Sequence, residues 1–332
     1  MNSATVTGAS GVEAVRAAAY PRSMTVVEWL LDSDPAVRWQ VMRDLTDASP
    51  DAVAAERARV AVEGWGARLL ALQGDDGQWA GGTYFPDLDH EPEGQPWTAT
   101  AFQLQQLREF GADPTDARVR HAIALVREGS RWEYDDLPFF DGEVEPCING
   151  MATAIGAYFG EDVRVIVDRL LTDQLEDGGW NCEMEQGSTR GSFNSTIAVL
   201  EGLLEYEKAN GPSPEVTMAR ERGQAYLLDR HLMRRLSTGE IPVETWLQFS
   251  YPTRWYYDVL RGLDYLRSAG AQPDERWTEA LDLVENRRAA DGRWMLENTH
   301  PGDVHFELDD GDGRPSRWNT LRAMRVLDWA GR

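Results

Sequence analysis

Apolar residues along this 332-residue chain recur at helical spacing almost throughout, with little sign of the period-two alternation that marks strands. From Thr25 the pattern gives a short helix through Val27, Leu30 and Leu31. Asp34-Pro35 then acts as a cap and first-turn proline for a second helix carrying Val37, Val41, Met42 and Leu45. A longer helix is expected over about 51–72, closed by the turn chemistry of Asp76-Gly77. After a Gly-, Pro- and Asp-rich loop over 80–95, helices are predicted near 97–110, 114–128, 147–160, 162–175, 191–210, 214–235, 253–270, 274–290 and 315–330.

These helices fall into two classes. Some are apolar on all sides, such as Cys147 to Phe159 and Phe193 to Leu204, and such helices belong inside. Others are amphipathic. Glu161 to Leu175 sets Val163, Ile166, Val167 and Leu170 against Glu161, Arg164, Asp168 and Arg169, as an outer helix would. Alternating inner and outer helices, in about five to six hairpins, predict an all-α fold of the α/α-toroid type: residues 25–332 as one domain behind a disordered segment 1–24.

A repeated marker supports a single array. Gln73-Gly-Asp-Asp-Gly-Gln-Trp79, Gln174-Leu-Glu-Asp-Gly-Gly-Trp180 and Arg288-Ala-Ala-Asp-Gly-Arg-Trp294 share Asp-Gly-x-Trp, with Trp180 following Trp79 by 101 positions and Trp294 following Trp180 by 114. Pro252-Thr253-Arg254-Trp255 and Pro315-Ser316-Arg317-Trp318 read as matching starts of inner helices, with Pro96-Trp97-Thr98, Pro146-Cys147 and Ser192-Phe193-Asn194 in equivalent places. Parallel inner helices would bring these N-termini to one mouth, where unsatisfied N–H groups and helix dipoles favour a site.

A formal charge of −23 argues against nucleic acid and against an anionic membrane surface as partner, and Lys208 is the only lysine among 33 basic residues. Two cysteines, Cys147 and Cys182, are too few for a disulfide framework. With neither a signal peptide nor a membrane span in evidence, a cytoplasmic location is expected and integral membrane association is not. Oligomeric state is not legible.

The Trp-terminated repeats and alternating helices, over about residues 52–331, resemble the α/α-toroid superfamily of squalene and hopene cyclases and protein prenyltransferase β-subunits. The likeness is strongest to bacterial proteins labelled squalene-cyclase-like or prenyltransferase-like. It implies an enzyme acting on an isoprenoid or other apolar or amphiphilic small molecule in a central aromatic cavity, by acid-initiated cyclisation in the cyclase case. Cyclases protonate an alkene with an Asp-x-Asp-Asp acid, a motif absent here. Near-variants stand at Glu133 to Asp136, at Asp87 to His90, and at Glu307, Leu308, Asp309 and Asp310. Asp258, beside Trp255 and Tyr257 on an apolar stretch, is a further candidate acid. Prenyltransferases hold zinc with Asp, Cys and His, and lanthionine cyclases, another α/α toroid, use two cysteines and a histidine. Here Cys147 and Cys182 could meet at the mouth and bind zinc with His305, His300 or Glu183; a small buried hydrophobe is the plain alternative for each cysteine.

Arg254 and Arg317 are candidates for clamping an anionic head group. Trp97, Trp180, Trp255 and Trp318 could form an aromatic wall, with Tyr257 and Phe193 beside it. Asn149, Asn181, Asn194, Asn319 and Glu183 could orient a substrate. Each has a structural alternative as packing anchor, ion pair or cap. Paired carboxylates with tryptophans also suit a carbohydrate-active α/α barrel, and a filled cavity with fully paired acids would suit a non-catalytic binding scaffold. Asn181, Cys182 and Glu183 have no counterpart after Trp79 or Trp294, which makes that tail of the second marker the first place to look for function.

Overall fold

The computed structural model describes residues 24–332, so the expected disordered segment 1–24 lies, except for Met24, outside the described residues. Thirteen α-helices are described: α1 Val26–Leu31, α2 Pro35–Leu45, α3 Pro50–Ala58, α4 Gly64–Ala71, α5 Thr100–Phe110, α6 Ala117–Gly129, α7 Pro146–Phe159, α8 Arg164–Thr172, α9 Phe193–Asn210, α10 Pro214–Leu228, α11 Val259–Ser268, α12 Thr278–Asn286 and α13 Arg317–Trp329. Among the described residues the only β-type pairing is four isolated bridges. Neighbour packing runs α2 to α5, α7, α9, α11 and α13, and α13 returns to α2. Those six helices close an inner ring. Each successive pair is joined through outer helices that pack on the ring, α4 on α5, α8 on α7, α10 on α9, and α12 on both α11 and α13. The fold is therefore an α/α toroid, and the outward returns make the inner helices parallel.

The marker tryptophans explain how the layers are joined. The indole Nε1 of Trp79, Trp180 and Trp294 donates at 2.7 Å to the carbonyls of Leu69, Leu170 and Val284, each on the preceding outer helix. Their backbone N–H groups donate to the hydroxyls of Thr100, Thr196 and Thr320, each in the first turn of the next inner helix, at 3.0–3.1 Å. Gln73 and Gln174 reach further: their side-chain amides donate to Ala122 and Ala219, on the next outer helices α6 and α10. One short motif thus fixes three helices at once.

Three expected helices differ. The one predicted near 214–235 stops at Leu228, and the chain then turns through His231 and Leu232 at positive φ. The helix over 51–72 breaks, because Gly64 turns at φ +66° against Asp34, whose carboxylate accepts from both Ala36 N–H and Trp65 N–H. A Cβ at Gly64 would sit 1.9 Å from Asp34 Oδ2, so only glycine allows the turn. The start at Pro252-Thr253-Arg254-Trp255 is instead a loop containing a cis Tyr251-Pro252 bond, and Asp258 is the residue that caps α11. The parallel signal at Pro315 holds, with the Ser316 hydroxyl accepting from Asn319 N–H.

Inner helices α7 and α9 cross backbone to backbone. A Cβ on Gly150 would lie 2.5 Å from the Ala198 carbonyl carbon, and one on Gly202 would lie 2.4 Å from the Gly150 oxygen. This contact places the start of α7 beside the start of α9. Among the described residues no helix is long and apolar enough to cross a membrane.

If the Trp–Thr clip sets the register of the ring, Thr196→Val strands the buried Trp180 N–H and should cost about 1–3 kcal/mol in chemical denaturation. Thr153, a buried threonine on α7 whose hydroxyl has no partner, provides the contrast. Thr153→Val should be neutral or stabilising, and equal losses at the two positions would refute the clip.

Candidate active site at the toroid mouth

A cavity of about 550 Å³ opens at the N-terminal end of α7 and α9. Its aromatic walls are Tyr84, Phe85, Trp132, Tyr134 and Trp255, with Phe85 and Tyr134 exposed at the rim. Three potential ligand atoms converge on one wall: a carboxylate oxygen of Glu145 and the sulfurs of Cys147 and Cys182, all within 4.8 Å of one another.

Local structure accounts for the convergence. Pro146 starts α7, which leaves Glu145 at its N-cap with a side chain not engaged in capping, and Cys147 in the first turn. Cys182 arrives from the other direction, two residues past Trp180, and its N–H donates to Ser195 Oγ of α9 at 3.2 Å. The Cys147 N–H donates to Cys182 Sγ at 3.4 Å, Ser195 Oγ lies 3.2 Å from the same sulfur, and Cys147 Sγ lies 3.5 Å from Glu145 Oε2. Cys182, burial and Glu145 together push the Cys147 thiol well up, because a thiolate there would stand desolvated beside like charge.

The donor set fits a borderline-soft divalent ion. Two thiolates and a carboxylate are zinc ligands, and Zn–S bonds of about 2.3 Å place tetrahedral sulfurs roughly 3.8 Å apart, inside the observed bound. Glu145, Cys147 and Cys182 would hold the ion at the cavity wall, and three protein ligands are the number typical of catalytic zinc sites. His305 is not one of the three: its Nε2 lies 3.1 Å from the carbonyl of Thr98. His300 stacks on Tyr256 instead, at 3.9 Å between ring centroids. Glu183 lines the cavity without joining the cluster.

Other expected residues divide between cavity and scaffold. Asn181, Asn194 and Trp255 line the mouth cavity. Asn194 also accepts from Tyr257 N–H, and Asn181 donates to Arg190 O. Trp97, Trp180 and Trp318 are buried packing residues, with Trp318 stacked on Tyr251 at 4.4 Å, so the aromatic wall reduces to Trp255 and residues from other loops. Phe193 and Tyr257 pack on Trp246 and on each other, and Tyr257 Oη donates to Leu232 O. Asn149 bonds the backbone of Glu143 on both sides, and Asn319 bonds Phe249 O and Met295 O. Arg317 donates to Trp29 O and Asp32 O at the end of α1, away from Arg254, so the two arginines form no clamp.

The candidate acids sit elsewhere. Asp258 is 2% exposed and accepts from Ser250 N–H and Arg261 N–H; burial raises its pKa, and it lines none of the cavities described here. Asp309 accepts from Ser316 Oγ at 2.6 Å and Arg317 N–H at 3.3 Å, and burial pushes it up to about 6. Together with Glu307 it lines a separate cavity of about 60 Å³, and Asp310 is exposed. Glu133 is spent on the backbone N–H groups of Thr83, Tyr84 and Phe85, while His90 pairs with Asp89 and Asp303 on the surface.

The bore of the ring is ionic where an aromatic cavity was expected. Arg261 makes a bidentate pair with Glu201 at 2.7 and 2.8 Å; Arg322 lies 3.7 Å from Asp264; Arg325 pairs with Asp44. Burial works to raise Glu201, but Arg261 outweighs it and holds the carboxylate low. About 170 Å³ of space remains there, lined by charged side chains together with Tyr251, Tyr265 and Trp318.

Sequence reasoning missed Glu145, Glu143 and Trp132. Glu145 could have been found from its place before Pro146-Cys147, since a carboxylate two residues ahead of a first-turn cysteine shares its end of the helix.

No family model and no curated protein matches this chain. Among solved structures, an apo single-site variant of the type II terpene cyclase MstE from Scytonema aligns with 89% of this chain and 85% of its own, at 14% identity and a TM-score of 0.39.

Asp309 gives a pH signature. Its folded pKa, about 6, lies above the ordinary carboxylate value of 3.8, so the folded state holds the proton more tightly. Its contribution to stability is therefore complete below about pH 4 and is lost as pH rises through about 6, roughly 3 kcal/mol in all. Asp309→Asn should remove that slope, gaining on the parent protein between pH 4 and pH 7 in denaturation midpoints; parallel profiles would contradict a buried carboxyl.

Proposed function

We propose that this chain is a zinc-dependent enzyme of the terpenoid-cyclase/prenyltransferase type that takes an apolar or amphiphilic, isoprenoid-class molecule into the mouth cavity. The observation that carries this reading is the Glu145–Cys147–Cys182 cluster on the wall of an aromatic cavity of about 550 Å³. Zinc held by such a set would supply Lewis-acid chemistry, polarising an oxygen or stabilising a thiolate. The chain's own groups do the rest. The Cys147 N–H and the Ser195 hydroxyl lie at hydrogen-bond distance from the Cys182 sulfur, which fixes its orientation. Tyr84 and Trp255 line the cavity, where they would exclude water and offer ring faces to positive charge developing on a bound hydrocarbon.

Acid initiation by Asp258 or Asp309 has less support. Neither carboxyl lines the mouth cavity, and both accept hydrogen bonds at the start of an inner helix. A second reading, a non-catalytic binding scaffold, is favoured by one observation: the acids of the bore are paired, Glu201 with Arg261 and Asp264 with Arg267 and Arg322.

Elemental analysis of the full chain purified from zinc-replete medium is expected to give about one zinc per chain. Cys147→Ser and Cys182→Ser should each weaken retention about tenfold or more, with Glu145→Gln affected less. Chelation should lower the parent's melting temperature and leave both serine variants unchanged. Metal-free parent protein would overturn the metal reading, and loaded protein inert towards a panel of isoprenoid alcohols and diphosphates would favour the scaffold.

A further inference from the structure

Arg254 stands apart from the other buried arginines. It is 5% exposed, and among the described residues no hydrogen bond or ion pair holds its guanidinium. Arg261, Arg322 and Arg325 are equally buried, but each has acidic and neutral partners. For Arg254 the ring of Trp97, 5.1 Å from Cζ, covers one face, while Glu109 and Glu307 act only at longer range. A desolvated guanidinium without a partner is strongly unfavourable, and its planar fork of donors matches a carboxylate.

A second group faces the same space. Arg254 and His300 both line the cavity of about 60 Å³, with Tyr251 and Thr299. The Nε2 of His300 is buried and has no hydrogen-bond partner. Its ring is fixed by stacking on Tyr256, which stacks in turn on Trp255 at 3.7 Å. Burial and the Arg254 charge push His300 down to about 4, so it is neutral near pH 7 and offers one N–H or one lone pair. Two carboxyls also line the cavity. Asp309 is engaged by Ser316 and Arg317, and Glu307 is exposed; both oppose an anion and so restrict the guest to a small monoanion at the Arg254 end.

We propose that Arg254 and His300 Nε2 form a binding site for a small monoanion of the carboxylate class. The carboxylate could be free, at the size of formate, or the end of a longer molecule. Arg254 also lines a narrow space with Tyr84, Cys147, Met151 and Trp255, and all of these but Met151 line the mouth cavity too. The longer guest therefore rests on the mouth cavity being the substrate site; the free anion does not.

The test is binding of formate and decanoate to the full chain by calorimetry and thermal shift at constant ionic strength, with sulfate, a dianion outside the proposed class, as the balancing salt. Formate should stabilise the parent saturably, and Arg254→Met and His300→Phe should each bind it at least tenfold more weakly. His300→Phe keeps the stack on Tyr256, so it serves if the arginine variant does not fold. Decanoate binding about tenfold or more tightly than formate would assign the carboxylate to a ligand of the mouth, and equal affinity would assign a free anion; both uphold the site. Absence of saturable stabilisation by either carboxylate, or variants that respond as the parent does, would overturn it. Zinc content measured on the same samples separates failure of this site from failure of the metal centre.

Discussion

Everything at the mouth depends on the two hydrogen bonds each marker tryptophan makes. A toroid needs its inner helices to begin at one level, and helix packing alone lets helices slide along their axes. The indole N–H ties Trp79, Trp180 and Trp294 to the outer helix just completed, while the peptide N–H ties them to a threonine in the first turn of the next inner helix. Both bonds are buried, so slippage would strand a donor or an acceptor without water to replace it, at about 1–3 kcal/mol per group. The clip recurs at α5, α9 and α13, alternate members of the ring.

The entries to α7 and α11 lack the clip, and the candidate chemistry gathers there. Glu145 and Cys147 open α7; Arg254 and Asp258 precede α11. Trp132 and Phe139 close the first of these entries by stacking and an indole bond to the Phe139 carbonyl, a looser arrangement than Trp–Thr. The second runs through Arg254 at φ +56°, a left-handed conformation that a non-glycine residue adopts at a cost. Regular entries define the ring, and irregular ones let side chains point into cavities.

This division explains what the sequence could disclose. The helix alternation, the inner and outer classes and the Trp markers were legible because each is a local or periodic signal. The meeting of Cys147 with Cys182 was legible too, since both lie near inner-helix starts and parallel inner helices share a mouth. Glu145 was not singled out, because a glutamate before a proline carries no signal until the α7 N-terminus is fixed in space. His305 was expected at the metal and bonds Thr98 instead, because no periodicity governs the loop between Trp294 and Pro315. The Arg254 motif misled for a related reason: it copies the letters of Pro315 to Trp318, yet the helix waits for the Asp258 cap.

The ionic bore bears on chemistry as well as on stability. A cyclase-like reaction in the centre of the ring would place a carbocation among Arg261, Arg322 and Arg325, whose positive charges disfavour it. Their carboxylate partners restore neutrality, but they also offer nucleophiles that would quench such a cation. At the mouth the balance is reversed: aromatic side chains line the space, and the Cys147 and Cys182 thiols gather with the Glu145 carboxylate on one wall where a metal could neutralise them. The same ring therefore has an interior suited to holding helices together and an N-terminal end with space for a guest. Buried charge separates the two, paired in the bore and, at Arg254 beside the mouth, left available to a ligand.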